Sequence, residues 1–148
     1  MRMSKDFREF IELLNSNEVE YLIVGGYAVG FYGHPRYTKD LDIWINISKE
    51  NAHNLMKALN DFGFGSLGLK ENDFYEEGKF IQLGYPPNRL DIITFADGLT
   101  FNDVYSQRNQ VDVEGIICNF IDLDNLIINK KSTGKNQDLA DLDNLISK

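Results

Sequence analysis

Tyr21-Leu22-Ile23-Val24-Gly25-Gly26 is a run of four apolar residues closed by two glycines. Such a run is the pattern of a strand buried on both faces, and the glycine pair stops it abruptly. A short helix through Tyr27-Ala28-Val29 is expected next. After the turn-like Gly33-His34-Pro35, Asp40-Leu41-Asp42-Ile43-Trp44-Ile45-Asn46-Ile47 alternates polar and apolar before becoming apolar-rich, which reads as a second strand. Residues two apart on a strand project from one face, so Asp40 and Asp42 present their carboxylates side by side.

Outward from this centre, Ser4 caps a first helix running to about Asn15, with Phe7, Phe10, Ile11 and Leu14 on one face. Ser48 caps another, which turns Leu55, Met56 and Leu59 inward and ends near Gly63. From Gly63 to Gly78 no period emerges, and the expectation is a mobile loop able to serve as a lid. Lys79 to Leu83 and Arg89 to Phe95 read as strands, and Val111 to Phe120 as a hairpin turning at Glu114-Gly115. Helices starting near Asp122 and Asn136 close the chain; both contain Asp-Leu-Asp-Asn-Leu-Ile, too short a repeat to be a duplicated unit.

A length of 148 residues with 43% hydrophobic and 26% charged residues fits one domain spanning 1–148. Cys118 is the single cysteine, so no intramolecular disulfide can form, and it reads as a strand residue rather than a nucleophile. With no signal-like amino terminus and no membrane-length apolar run, the expected location is the cytoplasm. A net charge of -8 argues against an extended nucleic-acid surface, which is built from Lys and Arg. His34 and His53 are the only histidines, too few for a zinc site at ligand spacing.

Acid-x-acid patterns among the aspartate-led pairs occur at Asp40/Asp42, Asp112/Glu114, Asp122/Asp124 and Asp141/Asp143. The last two pairs fall in helical patterns, where capping and the helix dipole account for aspartates in a first turn. Asp112/Glu114 runs into a hairpin turn and reads as a solvated edge. Asp40 and Asp42 lie at the end of a buried strand, where two adjacent charges call for a counter-ion. Carboxylate oxygens with room for water and phosphate suit Mg²⁺ or Mn²⁺. Asp91, in Arg89-Leu90-Asp91-Ile92-Ile93, is the acid of another apolar strand and the natural third ligand. Gly25-Gly26, between a buried strand and a helix, lets backbone amides approach a phosphate, although a double glycine alone is more often just a tight turn.

Gly25-Gly26, then Arg36-x-Thr38-x-Asp40-Leu41-Asp42-Ile43, then Asp91, resembles the signature of the nucleotidyltransferase superfamily that includes DNA polymerase β. Leu126-Ile127-x-Asn129-Lys130 and Gly134-Lys135-x-x-Asp138-Leu139-x-Asp141-Leu142 are similar to the terminal motif of small bacterial proteins related to abortive-infection nucleotidyltransferase toxins. The resemblance runs over roughly residues 20 to 145, apart from the stretch between 60 and 85. It implies an α/β (α+β) fold, a mixed twisted sheet flanked by helices with a helical carboxy terminus. It also implies a nucleoside triphosphate and two Mg²⁺ or Mn²⁺ ions. Gly25, Gly26, Arg36 and Thr38 then belong to the nucleotide site, and Asp40, Asp42 and Asp91 are both catalytic and metal-ligating. Lys130, Lys135 and Asp138 lie near nucleotide or acceptor, although a solvated helix end accounts for the lysines as well.

The expected activity is transfer of a nucleoside monophosphate to a hydroxyl on a protein, RNA or small molecule, with release of pyrophosphate. The alternative is a non-catalytic nucleotide-binding or antitoxin-like module of the same fold, acting on a toxin-antitoxin partner protein. A membrane partner is not expected.

Overall fold

The computed structural model describes residues 3–33, 40–85, 87–135, 140–143 and 145. Helix α1 (Lys5–Ser16) starts where the Ser4 hydroxyl accepts the Phe7 amide, and buries Phe7, Phe10, Ile11 and Leu14. Strand β1 (Tyr21–Val24) is buried along its whole length and passes directly into helix α2 (Gly25–Tyr32). Strand β2 (Asp40–Ile45) alternates at its start and is buried from Ile43 onward. Helix α3 (Lys49–Leu59) begins at Ser48, whose hydroxyl accepts the Asn51 amide.

Strands β3 (Phe80–Leu83) and β4 (Arg89–Ile93) form one hairpin, and β5 (Asn109–Val113) and β6 (Ile116–Phe120) another. The second turns at Glu114 and Gly115, both with positive φ, the geometry that continues strand twist through a two-residue loop. Helix α5 (Leu123–Thr133) starts at Asp122, whose carboxylate accepts the Asn125 amide, and residues 140–143 are again helical.

The strands make one mixed six-stranded sheet in the order β3-β4-β2-β1-β6-β5. β1 runs antiparallel to β2, with Val24 opposite Asp42, and parallel to β6 on its other side. β2 and β4 are parallel, with Asp40 opposite Arg89 and Asp42 opposite Asp91. The core gathers the apolar faces of α1, α3 and α5 with β1, β2, β4 and β6, and Trp44, Tyr21, Phe7 and Phe10 are its largest fully buried side chains. Buried Asn51 fastens α3 to the sheet: it accepts from the Glu20 amide at 2.7 Å and donates to the Asn46 and Glu20 carbonyls at 2.9 and 3.1 Å. That junction fixes β1 against β2, and with it the position of the acids.

Two segments differ from the sequence reading. The stretch expected as a loop from Gly63 to Gly78 instead carries short helical turns, which run over 60–67 and 71–74, are anchored by fully buried Phe74 and are capped where the Lys70 amide donates to the Asp73 carboxylate. A fourth helix, α4 (Phe101–Tyr105), lies between the hairpins. Its Phe101 ring meets Trp44 edge-on at 5.2 Å and covers one end of the face that carries Asp40 and Asp42. Among the described residues no helix is long and apolar enough to cross a membrane.

Candidate active site

Register alone brings the three acids together. Asp40 and Asp42 alternate on β2, and the parallel neighbour β4 sets Asp91 directly across from Asp42. One oxygen from each of Asp40, Asp42 and Asp91 lies within 4.8 Å of the others. The antiparallel neighbour β1 delivers the glycine turn to the same point, since Val24 faces Asp42 and Gly25 follows it. Gly25 has φ +67, and a Cβ placed there would come within 2.7 Å of the Asp42 Cγ. Glycine is therefore required twice, by backbone conformation and by the carboxylate packed against it. The α2 amides begin at this turn, next to the acids.

Two carboxylate charges about 5 Å apart repel by about 3 kcal/mol at an effective dielectric of about 20. Asp91 is only 2% exposed, so water screens it poorly. Burial, then the charges of Asp40 and Asp91, push the Asp42 carboxyl up to about 8, and a hydrogen bond to Asp91 helps it keep its proton. Burial also raises Asp91, against the opposing pull of Arg89. Metal-free, the cluster thus holds a proton at a pH where isolated carboxyls have lost theirs.

Arg89 is the residue of this site that the sequence reading quoted without assigning. Its Nε donates to Asp91 Oδ1 at 2.9 Å, and its Nη2 donates to Asp91 Oδ2 at 3.0 Å and to Asp40 Oδ2 at 2.9 Å. The signal was present in Arg89-Leu90-Asp91, because residues two apart on a strand share a face.

The terminal motif divides. Lys130 is not at a solvated helix end: it is 6% exposed and pairs with buried Asp141 at 3.5 Å. Asp141 is accordingly a buried partner rather than the first-turn aspartate that its helical pattern suggested. The Lys130 charge reaches Asp42, whose acidity it increases. Lys135 is exposed. Arg36, Thr38 and Asp138 lie outside the described residues, as does His34. The remaining acid-x-acid pairs stay clear of the cluster; Asp112 accepts the Gly115 amide in the hairpin turn, and Asp122 caps α5. Cys118 is buried in β6, and burial pushes its thiol up to about 11, as expected for a packed strand residue.

Residues 2–146 match the family described as nucleotidyltransferase of unknown function (DUF6036). The chain belongs to this family. Its fold is also that of an antigenic nucleotidyltransferase-like protein from Paracoccidioides brasiliensis, with a TM-score of 0.57 at 16% sequence identity over 98% of this chain and 76% of the other. No curated protein sequence matches it. Family membership and the mixed sheet flanked by helices agree with the fold and superfamily that the glycine turn and paired acids implied.

Proposed function

We propose that this member of the family transfers a nucleoside monophosphate from a nucleoside triphosphate to a hydroxyl-bearing acceptor. The observation that carries the reading is the meeting of Asp40, Asp42 and Asp91 at the Gly25 turn. An acceptor oxygen attacks the α-phosphorus, the bond to the departing pyrophosphate breaks, and the acceptor proton leaves to base or solvent. Three convergent carboxylates offer hard oxygen donors and an excess of negative charge, which fits Mg²⁺ or Mn²⁺. Bound there, two such ions would neutralise charge on the phosphates and make the acceptor hydroxyl easier to deprotonate.

The other roles belong to the chain itself. Asp40 and Asp42 hold the face of β2 toward the phosphates, and Asp91 completes the set from β4. Gly25 and Gly26 open α2, and their amides are assigned to phosphate oxygens, the use to which a helix start is suited. Arg36 and Thr38, which precede the acids in sequence, are assigned to the triphosphate. Lys130, Lys135 and Asp138 are assigned to the nucleotide, and the Lys130 charge lies within electrostatic reach of Asp42. Of the non-catalytic alternatives, an antitoxin-like partner module leaves the alignment of three acids on adjacent strands without a purpose, while a nucleotide-binding module would keep it.

The direct test is incubation of the chain with each labelled triphosphate and Mg²⁺, with RNA and protein acceptors offered in parallel. Label should pass to an acceptor, pyrophosphate should appear, and Asp42→Asn should abolish both. Absence of transfer with every triphosphate and acceptor, alongside tight nucleotide binding, would favour the binding module.

A further inference from the structure

We propose that Arg89 is the resident counter-ion of the carboxylate cluster, competing with a divalent cation for the oxygens of Asp40 and Asp91. The inference rests on the metal-dependent reading above and adds to it what the cation must displace.

The contact is built by the sheet. Arg89 and Asp91 alternate on β4 and share a face, while the parallel register puts Asp40 directly opposite Arg89. The guanidinium grips Asp91 side-on, through Nε at 2.9 Å and Nη2 at 3.0 Å, and the same Nη2 spans to Asp40 at 2.9 Å. One nitrogen therefore joins oxygens from two strands, and both Asp91 oxygens are engaged. These are the carboxylates that converge with Asp42.

Charge and geometry together make the arrangement exclusive. A guanidinium keeps its charge at any working pH, so it cannot yield by losing a proton. It leaves the oxygens only by moving. A divalent cation among the acids would be repelled by the guanidinium at close range and would need oxygens that it occupies. Arg89 is 28% exposed, so its head group has solvent on one side into which it can turn while β4 stays in place. Without a cation, the same fork offsets repulsion between Asp40 and Asp91.

The inference can be tested by calorimetric titration of Mn²⁺, without nucleotide, into the chelator-stripped chain. Wild type, Arg89→Gln, Arg89→Lys and Asp42→Asn are compared, with urea unfolding in chelator on the same samples. Arg89→Gln should bind Mn²⁺ at least about tenfold more tightly than wild type, because a repelling charge is gone and two carboxylates are released. In chelator it should unfold at lower urea than wild type. Arg89→Lys, which keeps charge but not the fork, should fall between them.

Equal or weaker Mn²⁺ binding by folded Arg89→Gln would overturn the proposal and make Arg89 a support for Asp91 instead. If Arg89→Gln does not fold, Arg89→Lys decides by the same comparison. Wild-type binding that Asp42→Asn abolishes but Arg89→Gln does not tighten refutes the counter-ion alone. Binding by Arg89→Gln where wild type shows none supports it. No Mn²⁺ uptake by either removes the metal site and the counter-ion together.

Discussion

Replacing Asp42 with Asn should stabilise the metal-free protein, and the gain should depend on pH. Burial and two neighbouring carboxylates raise this group from 3.8 to about 8. A group whose pKa rises on folding contributes stability that is complete below its unfolded value and disappears as pH climbs through its folded value. Chelator-treated wild type should therefore lose stability progressively between about pH 4 and pH 8. Asn has nearly the shape of protonated Asp and does not titrate, so the variant escapes that loss. A shift of this size corresponds to about 6 kcal/mol at about 1.4 kcal/mol per unit. Solvent at the mouth of the cluster screens part of it, leaving an expected gain of about 2–3 kcal/mol above pH 8 and almost none at pH 4. Urea unfolding in chelator across that range measures the difference. Added Mg²⁺ should then reverse the order, stabilising wild type far more than Asp42→Asn. A stability gap that does not change with pH, or a variant less stable than wild type at pH 9 in chelator, would refute the account of the cluster.

Gly25→Ala should cost about 1–2 kcal/mol through its left-handed backbone and also displace the Asp42 carboxylate, so folded variant should bind Mn²⁺ more weakly in calorimetry. Asp141→Asn should destabilise by about 3 kcal/mol, because it leaves the buried Lys130 charge without its carboxylate; chemical denaturation should show most of that loss recovered in Lys130→Met with Asp141→Leu. Triphosphate binding should need Mg²⁺ or Mn²⁺, since phosphate charge otherwise meets three carboxylates, and calorimetry with chelator should show affinity lost.

Much of the site could be read in advance because it is made of local signals joined by one sheet. The apolar run Tyr21–Val24 names a central strand, and the Asp40/Asp42 alternation survives as a shared face because β2 is regular there. Placing Asp91 with them needed only a second apolar strand, and parallel pairing did the rest. The segment from 60 to 74 was opaque because its turns are too short to show a period, and the burial of Phe74 depends on distant packing. Helix α4 escaped for the same reason, being five residues long. Lys130 looked solvated because its partner Asp141 lies beyond α5, and no pattern in either helix announces the pair.

The position of the acids within the sheet also separates two timescales. β2 is paired on both sides, by β1 and β4, and β4 is itself paired on both sides, by β2 and β3. The peptide groups beneath Asp42 and Asp91 are thereby placed where amide exchange waits on rare, large openings, slow against any catalytic cycle. Once an arginine head group has left its partners for solvent, its side-chain torsions turn over in nanoseconds or less. Adjustment around Asp42 and Asp91 between successive ligands therefore falls to rotating head groups such as Arg89, with the backbone of β2 and β4 acting as a fixed frame.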